Sequence, residues 1–380
     1  MVKIHKHITK MFLVILQFAL VSCDISTEPQ TVADPGITVY ELNISNEDLG
    51  MLVSNVFSDF SVSGVLNVNK ESYKVKIEHH GNSSRSRFKK NYSLTFEKRD
   101  PLLNLKKVVL SGQPTDPSAL KSYLATEIYK CAGLKTFNML PVVFYLNGES
   151  LGLYYLMEPI NEEFFVKRGI KVGELYKAIN GEAKFSFKHN KEIRNGFEKR
   201  IPKDDSYYSL EQLIILIDNE AENTFPEKVE NMMNVDKYLE YMAVSVFICN
   251  WDGIVHNFYL YKDQNTGRYE ILPWDLDFTF VLENKLTAFP GNSDLMKKLL
   301  GIQKYRDKYK QLFYEYLEGC FSISNLTMKI DDMKLVISKA YSQDRWLQES
   351  GYDLNTESEK IKEFIRQRHI YIKEQLNNFS

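Results

Sequence analysis

Between residues 37 and 100, apolar and polar side chains alternate. ITVYELNIS, SGVLNVN, YKVKIEHHG and NYSLTFEK are broken by Gly, Asn and Ser, and a period of two predicts half-buried strands. The period then lengthens. DPSALKSYLATEIYKCAGL opens on Asp-Pro-Ser, spaces Leu120, Leu124 and Ile128 along one face and closes on Gly133, so a helix with start and stop signals is expected. PVVFYLN and GLYYLME follow, joined by Asn147-Gly148, a strong hairpin signal. The first half is expected to be a mostly antiparallel sheet with one inserted helix.

The second half changes character. SLEQLIILIDNEAEN, VDKYLEYMAVSVFICN, SDLMKKLLGIQKYRDKYKQLFYEYLEGC and SEKIKEFIRQRHIYIKEQLNNF are helix-periodic, with almost no internal Gly or Pro. One hairpin interrupts them, FYLYK turning at NTG into YEILPW. The charged stretch from 187 to 205 reads as a solvated loop. Repeats and low-complexity tracts are absent. These patterns predict an α+β, bilobal fold, with a β-rich N-lobe over about 37–160 and an α-helical C-lobe over about 161–380.

Composition narrows the classes of function. The 380 residues are 44% hydrophobic and 26% charged, and 48 Lys and Arg against 50 Asp and Glu leave a net charge of -2. No basic stripe suits nucleic acid, which is not expected as a partner. With 23 Tyr and 23 Phe, the chain is expected to fill a core.

The N-terminus adds an address. MVKIHKHITK is basic, MFLVILQFALVS is too short to span a membrane, and the run ends at Leu20-Val21-Ser22-Cys23. That ending resembles the lipobox of bacterial lipoproteins. It implies a signal peptide over 1–23, lipidation at Cys23 and a tether over 24–36. The chain is then expected at the bacterial cell envelope, outside the cytoplasm and held to the membrane through its lipid. The other cysteines, Cys131, Cys249 and Cys320, are widely spaced and lie in apolar surroundings, so buried thiols are expected. With a lipobox, the Asn-x-Ser/Thr matches at Asn43, Asn82, Asn91 and Asn325 are chance.

Chemistry concentrates in NWDGIVHNFYLYKDQNTGRYEILPWDLDFTF, residues 250 to 280. Asp252 follows an apolar helix, Asn257 opens the hairpin, and Asp275 and Asp277 stand where it returns. A two-stranded return brings both ends together, and two residues apart in extended chain share a face. A loop Asp, an Asn five residues on, a hairpin and a further Asp is the layout of a protein-kinase catalytic loop and metal-binding Asp. One such side chain is more often structural. Four at one end of a hairpin carry charge that calls for a cation or a substrate.

With HGNSSRSRFKKNYSLTF (80 to 96) and FYLNGESLGLYYLMEPINEEF (144 to 164), the segments NWDGIVHNFYLY and EILPWDLDFTF resemble the CotH kinase family over roughly residues 70 to 285. The resemblance implies an atypical protein-kinase fold that uses ATP with Mg²⁺ or Mn²⁺ to phosphorylate proteins on Ser/Thr. It implies Asp252 as catalytic residue and Asn257 and Asp275, with Asp277, as metal ligands. It gives Lys89 or Lys90 as the phosphate lysine, with a lean to Lys89, and Gly81, Asn82, Ser83 and Ser84 as a phosphate-covering loop. Met157 and Glu158 fall where a hinge would meet adenine. Glu127 is a candidate partner for the lysine, and Lys177 a further cation for the nucleotide. The family's usual Arg before GNSS is His80 here, and neither G-x-G-x-x-G nor the Gly of Asp-Phe-Gly is present. A catalytically inactive relative acting as a surface binding or scaffold lipoprotein is the alternative. A metal-dependent hydrolase is the third reading. The acceptor protein is not specified by the sequence.

Overall fold

The structure is a computed structural model that describes residues 36–188, 192–281, 286–288, 290 and 293–378. The expected signal peptide, Cys23 and nearly all of the tether lie outside them. Residues 36–380 form one compact unit of mixed α and β structure.

The four alternating segments become strands β1 (Thr38–Asn43), β2 (Ser61–Val68), β3 (Glu71–His80) and β4 (Asn91–Phe96), a further strand β5 (Lys107–Ser111) follows, and the Asn147-Gly148 hairpin becomes β6 (Met139–Leu146) and β7 (Glu149–Met157). They do not stay an open sheet. In the order β1-β2-β3-β4-β5-β7-β6 they close into a barrel, through a parallel pairing of β1 with β6 from Thr38↔Val142 to Leu42↔Leu146. Closure leaves no unpaired edge. Tyr40, Leu42, Leu66, Ile77, Leu94, Val108, Leu110 and Phe144 fill the interior. Strand β5, KVVLS, has no clean alternation because four of its five residues are buried, so its period was not legible. Helix α1 (Asn46–Ser54), capped by the Ser45 hydroxyl accepting from the Asp48 N–H, was also not foreseen.

Helix α2 (Lys121–Cys131) lies between β5 and β6. After α3 (Glu162–Val166), the chain forms β8 (Val172–Ala178), α4 (Ile193–Gly196) and β9 (Phe197–Ile201). Part of the expected solvated loop is therefore ordered: β9 pairs with β8, and Ile193 and Phe197 are buried. Apolar residues four apart within a charged stretch anchored it. Helices α5 (Tyr208–Asn219), α6 (Phe225–Met232), α7 (Val235–Phe247) and α8 (Asp252–Val255) lead to the hairpin of β10 (Phe258–Asp263) and β11 (Tyr269–Pro273). Together these make an antiparallel sheet in the order β11-β10-β8-β9.

Five helices complete the chain: α9 (Asp294–Gly301), α10 (Gln303–Glu318), α11 (Ile323–Ser342), α12 (Arg345–Glu349) and α13 (Leu354–Asn378). The single helix expected over 293–320 breaks at Gly301–Ile302, and α11 was not anticipated. One apolar cluster runs from Val109, Leu124 and Leu153 through α7 to Ile365, so this core continues from the barrel's outer face into the helices.

The cysteine expectation is corrected. Cys131 at the end of α2 and Cys320 after α10 are joined in a disulfide, 189 residues apart with Cα atoms at 5.7 Å. Cys249 is the buried thiol that was expected. Spacing alone cannot report a pair brought together by two packed helices.

Candidate functional site

Helix α7 is wholly buried from Tyr241 to its end at Phe247. Cys249 then takes a left-handed backbone, φ 53°, which turns the chain sharply. Asp252 starts the single turn of α8. The Gly253 N–H donates to Asn250 Oδ1 at 3.1 Å, and the Tyr241 hydroxyl donates to the Gly253 carbonyl at 2.7 Å. A Cβ on Gly253 would collide with both the Asn250 amide and the Tyr241 hydroxyl, so only glycine fits there. The carboxylate bearer is rigidly held.

Hairpin register supplies the other side. Phe258 pairs with Pro273, and the Trp274 N–H donates to the Asn257 carbonyl at 3.1 Å, so Asn257 and Asp275 stand together at the hairpin base. Both have left-handed backbones, φ 45° and 55°. Such non-glycine conformations cost energy and gather at functional sites. Asp277 accepts a hydrogen bond from the Thr115 hydroxyl in the β5–α2 loop.

The three acids feel one another. Asp275 is pushed up to about 7, first by burial and then by repulsion from Asp277 and Asp252, with Lys177 opposing. The Asp275 side chain keeps solvent contact although protein surrounds it closely, so the like-charge repulsion is the firmer cause. Asp252 is raised by burial and by Asp277, against the pull of His256. Burial and Arg200 lower Lys177, which Asp275 and Glu198 hold up. Lys177 sits on β8 opposite Tyr259 of β10, which brings its ammonium to the acids. His256 lies beside Asp252, and the Gly181 N–H points at its Nδ1 at 3.4 Å.

The barrel meets this field at His80. Burial, Lys177, Lys107 and Arg85 push its pKa down to about 4, and its Nδ1 shares a 2.9 Å hydrogen bond with Ser93 Oγ. The next residues are Gly81, Asn82, Ser83 and Ser84. Gly81 has φ 86°, and a Cβ there would strike Ser84. Ser84 Oγ donates to the His80 carbonyl at 3.0 Å, which ties that hydroxyl to the chain, whereas Asn82 and Ser83 are exposed.

Other expected residues are placed elsewhere. Lys89 is buried, its Nζ donating to Asp344 at 2.5 Å and to the Leu153 carbonyl at 2.6 Å. The ammonium of Lys89, toward which the resemblance leaned as phosphate lysine, is thus neutralised inside the protein. Lys90 braces the same loop, donating to the Arg85 carbonyl at 2.6 Å. Lys177 is the expected lysine that the structure brings to the acids. Glu127 pairs with Lys130 at 2.9 Å and Lys329 at 3.4 Å, not with Lys89 or Lys90. Met157 is paired to both Val109 and Met139. Glu158 is fully buried, its carboxylate bound to Arg168 at 2.8 Å and its N–H donating to the Asn138 carbonyl at 2.9 Å.

Sequence reasoning passed over Thr115, Arg200 and the Tyr129–Asn250 contact. Of these only Thr115, in PTDPS before α2, carried a turn signal that invited attention.

For a divalent ion, the Asn257 amide and the Asp275 and Asp277 carboxylates are hard oxygen donors of the type Mg²⁺ takes. Among the described residues no three His, Cys, Asp or Glu side chains form a ready cage. The repulsion at Asp275 is what a cation would relieve, so the donor set fits such an ion.

The chain matches the family described as CotH kinase protein over residues 77–372. It is 26% identical over 354 residues to the inner spore coat protein H of Bacillus subtilis (strain 168), covering 90% of this chain and 98% of that protein. To the invasin CotH3 of Rhizopus delemar it is 20% identical over 268 residues, covering 64% of this chain and 44% of that protein. A solved structure, the Helicobacter pylori proinflammatory kinase CtkA, aligns at 12% identity and a TM-score of 0.34, covering 83% of this chain and 89% of that one.

Proposed function

The chain belongs to the CotH kinase family, and from that premise we propose that it is an ATP- and divalent-metal-dependent protein kinase working outside the cytoplasm. The observation that carries the reading is the cluster of Asp252, Asp275 and Asp277 with Lys177 and His256 at the base of one hairpin. In this reading the barrel is the N-lobe, the helices are the C-lobe, and the acids face the nucleotide between them.

Phosphoryl transfer needs positioning and charge neutralisation more than covalent help. Asp252 accepts the proton of a Ser or Thr hydroxyl as its oxygen bonds to the γ-phosphorus. The bond to the β–γ bridging oxygen breaks, and ADP leaves. A carboxylate with a raised pKa is a better base than an ordinary Asp. Lys177 faces the phosphates, and the exposed Asn82 and Ser83 cover them. Asn257, Asp275 and Asp277 would hold Mg²⁺ or Mn²⁺, which when bound would supply positive charge to offset that of the phosphates.

Location is part of the proposal. LVSC places a lipid at Cys23, and the Cys131–Cys320 disulfide suits an oxidising compartment. The protein substrate is unassigned. A binding-only scaffold is the second reading, favoured by the internal engagement of Lys89 and Glu158.

The deciding experiment incubates the detergent-solubilised full chain with γ-labelled ATP, Mn²⁺ and casein, beside Asp252→Ala and Asp275→Ala. Label on the chain or on casein that both variants abolish supports the kinase. Equal labelling in all three, or none together with no ATP–Mn²⁺ thermal shift, rejects it.

A further inference from the structure

We propose that Tyr129 is a positioning residue for Asp252, so that helix α2 sets the turn that presents the candidate base; the catalytic part of this inference rests on the phosphotransfer reading above. Asp252 is oriented by the residues that flank it. Asn250 is 1% exposed, and its Nδ2 donates to the Tyr129 hydroxyl at 3.1 Å. The same hydroxyl shares a 2.8 Å hydrogen bond with Ser245 Oγ on α7. Asn250 Oδ1 in turn receives the Gly253 N–H, and Tyr241 holds the Gly253 carbonyl. The Tyr129 and Tyr241 rings stack at 5.4 Å with planes 24° apart. Two stacked tyrosines thus grip the residues on either side of Asp252.

Only one of those groups is foreign to the segment it holds. Ser245, Tyr241, Asn250 and Gly253 are neighbours along the chain, whereas Tyr129 lies 121 residues from Asn250. Tyr129 is fully buried, so its hydroxyl has no water to replace a lost partner. The turn carries the left-handed Cys249, a conformation that surrounding contacts must impose. Helix α2 is well suited to impose it. Its last residue, Cys131, is tied to Cys320, and the loop leading into it supplies Thr115 to Asp277. The helix and the loop before it therefore reach the turn that carries Asp252, and Asp277 itself.

Tyr129→Phe removes one oxygen and keeps the ring stack. On the full chain, amide hydrogen exchange is followed across residues 250–257, and kcat and KM for ATP are measured separately. The expected result is exchange about tenfold faster in that segment and kcat lowered about tenfold, with KM for ATP unchanged. Leu66→Ala, a cavity in the barrel interior, serves as a variant of lowered stability with kcat intact. Should Tyr129→Phe not fold, Ser245→Ala loosens the same hydroxyl and is read the same way. Wild-type exchange at 250–257 overturns the proposal, as does a kcat loss that Leu66→Ala reproduces. If the wild-type chain transfers no phosphate, the kinase reading fails, and exchange at 250–257 still decides the role of Tyr129.

Discussion

The hairpin base and the loop from Gly81 to Lys90 both carry groups of a kind that binds phosphate or metal, yet they spend their charge in opposite ways. In the loop, Lys89 gives its ammonium to Asp344, which also caps α12 and accepts the Leu153 N–H at 2.8 Å. Gly152 makes room for that carboxylate, since a Cβ there would collide with it. At the hairpin base, Asp277 and Asp252 repel the charge on Asp275, with Lys177 as partial relief. A charge compensated inside the protein builds the fold, and a set left repelling itself marks a candidate site. The two regions should therefore fail differently.

The largest effect is expected at the hairpin. Asp252→Asn should lower kcat by about a thousandfold while the melting temperature holds; a matching drop in melting temperature would make Asp252 a structural residue. Lys89→Met should do the reverse. Leaving Asp344 buried and unpaired costs about 3–5 kcal/mol in denaturant unfolding, and Lys89→Met with Asp344→Leu should recover part of it.

Replacing both Cys131 and Cys320 by Ala opens a 189-residue separation and should cost about 3 kcal/mol, read from urea melts with and without reductant. Asp275→Asn, by contrast, removes repulsion. In metal-free buffer it should raise the melting temperature slightly and cancel any gain from added Mn²⁺. An unchanged Mn²⁺ response would move the ion elsewhere.

His80 gives the smallest and most specific difference. Its pKa in the fold, about 4, lies below the ordinary histidine value. The folded state therefore resists a proton that the unfolded chain accepts, so stability is whole above about pH 6.5. It is lost as pH falls toward 4. His80→Gln should flatten that part of the melting-temperature profile; an identical slope would assign the acid loss to other groups.

Much of the candidate site was legible because hairpin geometry is local. NTG fixes the turn, the strand lengths fix the register, and the register puts Asn257 beside Asp275. Alternation could separate the faces of Lys89 and Lys90 but could not say which face meets the site, because Asp344 lies 255 residues further on. The barrel was half visible for the same reason. Its first four strands alternate, while its closure depends on β1 finding β6 across a hundred residues.

Local geometry and chemistry are written in the order of residues: strand and helix periods, the hairpin, the acids at its ends and the family motifs. Tertiary structure alone decided which charges meet. It buried Lys89 against Asp344, drew Lys177 to Asp275, joined Cys131 to Cys320 and set Tyr129 under the Asp252 turn. Periodicity depends on neighbours a few residues apart, whereas compensation of a buried charge depends on whichever distant side chain the packed core delivers to it.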